Sequence, residues 1–304
     1  MSALEYIYRM VLLKTWLDRW VLLAGISFLL VGGGCLKIPG DYRTIGPHAE
    51  LEAPLLPVDS CHPGVLSHEN ISNPVPVATL DGDGFTLASW NFQKGRQPGW
   101  PVDLNQLIGY ADIVLLQEAR LSVELSRVLA QKSQRWDLAP AFIYRDDPIG
   151  VLTAAQATPL NRCIVRTREP LLQVPKSMLM TRYAFNGGVS SLVVVNLHGI
   201  NFTLGTASYR NLWQILTTVL TPHSGPLIVA GDFNTWSDMR LAIVEDALTP
   251  LGMASIKFPK GKRSMFRGHA VDHVYYRGLT PLTITVPQVE SSDHHPLLVR
   301  FKLT

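Results

Sequence analysis

From residue 84 onward the chain repeats one local pattern. A short run of Val, Ile, Leu and aromatic residues stops on, or beside, a side chain able to bind a metal or move a proton. Phe85–Asn91, Asp112–Glu118, Ser190–His198, Leu227–Asp232, Val271–Tyr276 and Pro296–Phe301 have the length and residue types of strands. Amphipathic stretches at 102–110, 122–132, 206–220 and 238–248 predict helices between them, with Ser122 and Ser237 as N-caps. Strands interleaved with helices give an α/β or α+β domain. A site on the rim of such a sheet takes its residues from strand ends and the loops that follow.

Composition narrows the class. Hydrophobic residues make up 47% of the chain and charged residues 17%, which excludes disorder. A net charge of +3 announces no nucleic-acid partner by itself. Three cysteines are too few for a disulfide framework and too far apart for a zinc site.

Part of the apolar excess lies in Trp20–Leu36, an uncharged run preceded by Arg9, Lys14 and Arg19 and followed by Lys37. It is the one long uncharged run, which excludes a polytopic membrane protein. As a helix it is about 25 Å long against a hydrocarbon core of ~30 Å. It reads as a signal anchor, a cleaved secretory signal, or a lipoprotein signal in which Gly32, Gly33 and Gly34 lead into Cys35. A buried helix of a cytoplasmic protein is the alternative; each glycine opposes it by ~1 kcal/mol relative to Ala. The expectation is membrane attachment, with the rest of the chain exported to the periplasm or cell envelope. Cys61 and Cys163 can pair there. Pro39, Pro47, Pro54, Pro57, Pro63, Pro74 and Pro76 interrupt the next stretch. The chain therefore divides into 1–36 (anchor or signal), 37–83 (Pro-rich linker) and 84–304 (folded domain). A monomer is the expectation.

Taken singly, the polar strand ends have ordinary explanations. Glu118 can be a solvated strand end, His198 a structural histidine, Asp272 an ion-pair partner, and Asp232-Phe233-Asn234 an Asx turn. Together they supply hard oxygen ligands without cysteine, which suit Mg²⁺ or Mn²⁺. Imidazoles beside such a cation suit phosphoryl chemistry.

The ordered set Trp90-Asn91, Leu116-Gln117-Glu118, Asn196-Leu197-His198, Gly231-Asp232-Phe233-Asn234, Asp272 and Ser292-Asp293-His294 resembles the endonuclease/exonuclease/phosphatase superfamily. That superfamily includes DNase I, abasic-site endonucleases, sphingomyelinases and inositol-polyphosphate phosphatases. Within it, Trp90-Asn91-Phe92-Gln93-Lys94, His198-Gly199-Ile200-Asn201-Phe202, Tyr275-Tyr276-Arg277-Gly278-Leu279 and Pro175-Lys176-Ser177 look most like bacterial YafD-type proteins. The resemblance implies a DNase I-like four-layered sandwich, two mixed β-sheets flanked by helices. It implies Glu118, Asn91 and Asp293 as metal ligands for Mg²⁺ or Mn²⁺. Asp232 and Asn234 would orient water and phosphate. His294 would act as base, directly or through Asp232, with Asp272 holding its ring. His198 would contact the phosphate or protonate the leaving group, and Asp146 or Asp147 lies in the region of an acid that would support it. His295, where relatives carry other residues, is read as structural.

The implied activity is metal-dependent hydrolysis of a phosphodiester, nuclease-like. A phospholipid or phosphomonoester is the alternative, and a non-catalytic binding protein on the same scaffold is a third class. Lys257, Lys260, Lys262, Arg263 and Arg267, interleaved with Phe258 and Phe266, are the feature that favours nucleic acid. An ordinary solvated loop is the simpler explanation of them.

Overall fold

The computed structural model describes residues 36–41, 43–47, 61, 78–131, 135–188 and 190–304. The anchor or signal segment, apart from Leu36, and most of the expected linker lie outside them. Among the described residues no helix is long and apolar enough to cross a membrane.

Two large mixed sheets form the centre. The first contains β1 (Leu36–Lys37), β2 (Phe85–Asn91), β3 (Ile113–Arg120), β4 (Arg135–Tyr144), β5 (Asp147–Ala155), β14 (Leu279–Thr285) and β15 (Leu297–Leu303), in the order β1-β4-β5-β3-β2-β15-β14. The second contains β6 (Pro159–Arg168), β7 (Pro175–Ala184), β8 (Ser191–His198), β9 (Leu227–Asp232), β10 (Ala254–Ser255) and β13 (Asp272–Arg277), in the order β10-β13-β9-β8-β7-β6. β11 (Met265–Phe266) and β12 (His269–Ala270) make a separate hairpin. Each large sheet contains one parallel pair, β2 with β3 and β8 with β9.

The layering follows from side-chain alternation. Leu192 and Val194 of β8 point between the sheets, where they meet Phe85, Leu87, Leu115, Val299 and Phe301. Val193, Val195 and Leu197 point the other way, onto helices Ala207–Leu220 and Asp238–Leu248. On the first sheet Ala88, Trp90, Val114 and Leu116 pack outward against helices Trp100–Tyr110 and Val123–Gln131. Both faces of each sheet are therefore apolar, and the layers run helix, sheet, sheet, helix. This is the four-layered sandwich. The Ser122 hydroxyl accepts the Leu125 amide at 3.1 Å, and that of Ser237 accepts the Arg240 amide at 3.4 Å, as N-caps.

The strands between 135 and 184 and β14 are absent from the sequence reading. β4 contains Pro140 beside a register shift between Pro140 and Phe142, and β6 carries Arg162 and Arg166 on a strand at the sheet's edge. Such strands gain their ladder from neighbours far away in sequence, and local pattern underrates them. Short pieces of the region read as linker also join the domain. Leu36 and Lys37 pair with Tyr144 and Ile143, Ile45 bridges Leu138, and Leu80 bridges Phe185.

Cys61 and Cys163, 102 residues apart, form a disulfide with Cα atoms 5.6 Å apart in the outer core of the second sheet. Cross-linking a loop of that size restricts the unfolded chain, a stabilisation of about 2–5 kcal/mol. Replacing both cysteines with serine should lower the unfolding free energy by about that amount, measured in parallel melts with and without reductant. Thiol reagents that label either cysteine in the native protein would show that the bond does not form.

Candidate active site

Strand register brings the site together. His198 ends β8 directly beside Asp232 at the end of β9, and Asp232 lies opposite Asp272 at the start of β13. On the other sheet Asn91 ends β2 opposite Gln117 of β3, one residue before Glu118. Asp293 and His294 arrive on the loop before β15, where the Ser292 hydroxyl donates to the Asn91 carbonyl at 2.7 Å. Two buried contacts tie the sheets across this rim. The Asn91 amide donates to Asp232 Oδ2 at 3.0 Å, and the Gln117 amide donates to Asn196 Oδ1 at 2.8 Å.

Backbone geometry aims the carboxylates. The β3 ladder shifts register between Leu116 and Ala119, and Glu118 within that bulge has φ 53°. A bulge re-aims a side chain, and a left-handed backbone at a non-glycine residue costs on the order of 1–3 kcal/mol unless the surroundings enforce it. Asn234, at φ 55°, turns sharply so that its own N–H reaches Asp232 Oδ1 at 2.9 Å. Gly231 lies at φ 141°, and a Cβ there would fall 2.0 Å from the Leu197 carbonyl oxygen. Gly231→Ala must push β9 off β8 at the residue before Asp232. The expected result is a loss of about 1–3 kcal/mol of stability, read by melting.

His294 Nδ1 is 2.8 Å from Asp272 Oδ2. Burial disfavours the charged ring, but Asp272, with Asp232 and Asp293 nearby, outweighs it and pushes His294 up to about 10. Asp232 is raised to about 6, chiefly by burial, with the charge of Asp272 adding to it and His294 opposing. Asp232, Asp272 and His294 present ligand atoms within 4.8 Å of one another, a possible metal site.

Two lysines missed as site residues stand on the other flank. The Lys94 ammonium pairs with Glu118, and Lys176 Nζ lies 3.0 Å from His198 Nε2. Burial alone would raise the Glu118 carboxyl; Lys94, then Lys176 and His198, hold it well below the usual carboxylate range. Burial and the Lys176 charge depress His198 far below an ordinary histidine, so the ring is neutral and accepts from Lys176. Lys94 sits in the left-handed turn Gln93–Gly95, whose Gln93 amide donates to Asp293 Oδ2 at 3.0 Å. That short turn links Asn91, Glu118 and Asp293. The only sequence signal for either lysine was its place inside a motif string.

Asp146 and Asp147 do not support His198. Asp147 pairs with Arg120 at 2.5 Å and Asp146 occupies a left-handed turn; the acid beside His198 is Asp232, at 3.6 Å. His295 serves structure, its Nδ1 accepting the Val289 amide at 3.3 Å. Buried Arg240 also went unread. It stacks on Tyr209 and Trp236 and donates to the carbonyls of Ile200, Asn201 and Asn234, fixing the loops after His198 and Asp232.

Paired sheets thus gather carboxylates, amides and imidazoles from strand ends at one rim. The sequence profile of the Endonuclease/Exonuclease/phosphatase family matches residues 88–294, and the chain belongs to that family. It is 38% identical over 226 residues to the UPF0294 protein of Vibrio parahaemolyticus, covering 74% of this chain and 80% of that one. Among solved structures it is similar to an endonuclease/exonuclease/phosphatase from Beutenbergia cavernae, at TM-score 0.58 and 16% identity over 73% and 72% of the two chains. The human Nocturnin catalytic domain, with a bound sulfate anion, gives TM-score 0.57 and 17% identity over 75% and 97%.

Proposed function

We propose that this protein is a divalent-metal-dependent hydrolase of phosphate esters, acting on a phosphodiester by attack of water. The observation that carries this reading is the linked set Asn91–Asp232 and Asp272–His294, bonded at 3.0 and 2.8 Å beside Glu118.

The donor set fits a hard cation. Asp272 and His294 are bonded to each other, and Asp232 accepts from Asn91 and Asn234, so these groups already engage one another. Glu118 accepts from Lys94, and Asp293 accepts from Gln93 and Ser292, and Glu118 already faces the positive charge of Lys94. Glu118, Asn91 and Asp293 are therefore the residues to hold Mg²⁺ or Mn²⁺. When bound, that ion supplies neutralisation of charge on the phosphate.

The chain's own groups supply the rest. Asn91 and the Asn234 N–H orient Asp232, whose raised pKa suits it to take a proton from water near neutrality. Protonated His294, its ring fixed by Asp272, donates to a phosphate oxygen. Lys176 and Lys94 add positive charge where the phosphate sits, and Lys176 is placed to give a proton to the departing oxygen. Neutral His198 accepts from Lys176 and orients it.

We also read the domain as exported or membrane-anchored, supported by the disulfide and by the basic flank of Trp20–Leu36. Full-length protein should hydrolyse bis(p-nitrophenyl) phosphate with Mg²⁺ or Mn²⁺ and lose that activity in chelator. Equal rates in both would overturn the reading.

A further inference from the structure

A cleft of about 400 Å³ opens beside the site. Its inner end is formed by Lys94, Glu118, Lys176 and His198, whereas Asp232, Asp272 and His294 do not line it. Its far wall is apolar, formed by Leu36, Phe142, Ile149, Leu172, Val174 and Phe202. Arg96, Arg120 and Tyr144 also line the cleft, Arg120 paired with Asp147, and two further polar side chains are occupied by the fold. The Ser177 hydroxyl donates to the Ala139 carbonyl at 2.9 Å and accepts the Val151 amide at 3.3 Å, and Glu169 Oε1 accepts the Asn201 amide at 2.7 Å. Positive charge at one end and an apolar wall beyond it complement an amphiphilic phosphate.

Leu36 says where such a molecule comes from. It is the last residue of the uncharged run Trp20–Leu36, and it is held in the cleft wall by pairing with Tyr144. Membrane attachment through that run, the reading given above, would bring the cleft wall close to a bilayer, because Leu36 belongs to both. Phe202, on the cleft wall, is 42% accessible, and Ile38 and Leu204, two residues along the chain from Leu36 and Phe202, are 37% and 68% accessible.

We propose that this cleft binds a membrane phospholipid, the phosphate at Lys94 and Lys176 and the glycerol and acyl portion along the wall from Leu36 to Phe202. The inference rests on the phosphoesterase reading above. In an in-line displacement the leaving group departs opposite the attacking water. Water is activated at Asp232, which does not line the cleft, so the cleft receives the leaving group. The water oxygen bonds to phosphorus, and the bond from phosphorus to the glycerol oxygen breaks. That oxygen takes up a proton in place of the one the water gave up. The products are a diacylglycerol and a phosphomonoester.

The test uses full-length protein with Mg²⁺ on three substrates: phosphatidylglycerol in mixed detergent micelles, bis(p-nitrophenyl) phosphate, and plasmid DNA. The expected result is release of diacylglycerol. Phe202→Asp and, separately, Val174→Asp should lower the ratio of lipid to soluble-diester hydrolysis by about tenfold or more, the worth of one buried apolar side chain. Cleavage of the soluble diester but not the lipid would overturn this inference and leave the phosphoesterase reading standing. Cleavage of neither would overturn both. Cleavage of DNA that weakens in both variants, without lipid turnover, would assign the cleft to nucleic acid instead.

Discussion

Glu118→Ala is expected to lower metal-dependent hydrolysis by about 10²-fold or more, since a held cation contributes several kcal/mol and each ~1.4 kcal/mol is tenfold in rate. The variant has a second effect that must be separated from the first. Lys94 is partly buried against Glu118, and that burial lowers its pKa while Glu118 raises it. Removing the carboxylate leaves a partly buried ammonium unpaired, a cost of about 1–3 kcal/mol, or drives it to lose its proton. Glu118→Ala should therefore melt earlier as well as hydrolyse more slowly. Glu118→Ala/Lys94→Met removes the stranded charge and should recover stability without recovering rate. A double variant as active as wild type would remove Glu118 from the chemistry.

The second large effect is at the Asp272–His294 pair. His294→Ala should cost about 10²–10⁴-fold in rate, the usual contribution of a positioned acid or base. Asp272→Asn is more informative because it keeps the ring. Asp272 is the principal partner that outweighs burial and raises His294 to about 10. The rate of the native protein should fall at alkaline pH as His294 loses its proton, and at acid pH as Asp232, near 6, gains one. These limbs belong to the coupled group rather than to either residue alone. In Asp272→Asn the alkaline limb should move toward neutrality. The sign for stability is the same. A folded pKa raised above the unfolded ~6.5 stabilises fully below that value, and the contribution disappears as pH rises through about 10. An alkaline limb unmoved in Asp272→Asn would show that this pair does not set it.

The chemistry-bearing residues were legible because each occupies a position that local pattern defines. A run such as Leu227–Asp232 must be a strand buried on both faces, so its first polar residue marks the sheet's edge. Asn91, His198 and Asp272 stand out for the same reason. Glu118 and Asp232 were read as carboxylates at strand ends. The sequence does not say that one sits in a left-handed bulge with a lysine on it, or that the other is buried and bonded to Asn91 from the opposite sheet.

What the sequence by itself determined was the two-faced apolar strands, the helices between them and the identity of the strand-end side chains, because alternation and capping are encoded within a few neighbouring residues. Only the tertiary structure decided that Lys94 and Lys176 enter the site, that Asp232 rather than Asp146 or Asp147 stands beside His198, and that Leu36 lines the cleft. Those arrangements come from pairing β2 with β3, β7 with β8 and β8 with β9, and from pairing an edge strand across 106 to 108 residues of chain. Contacts of that range are set by which surfaces bury together, and no local pattern carries them.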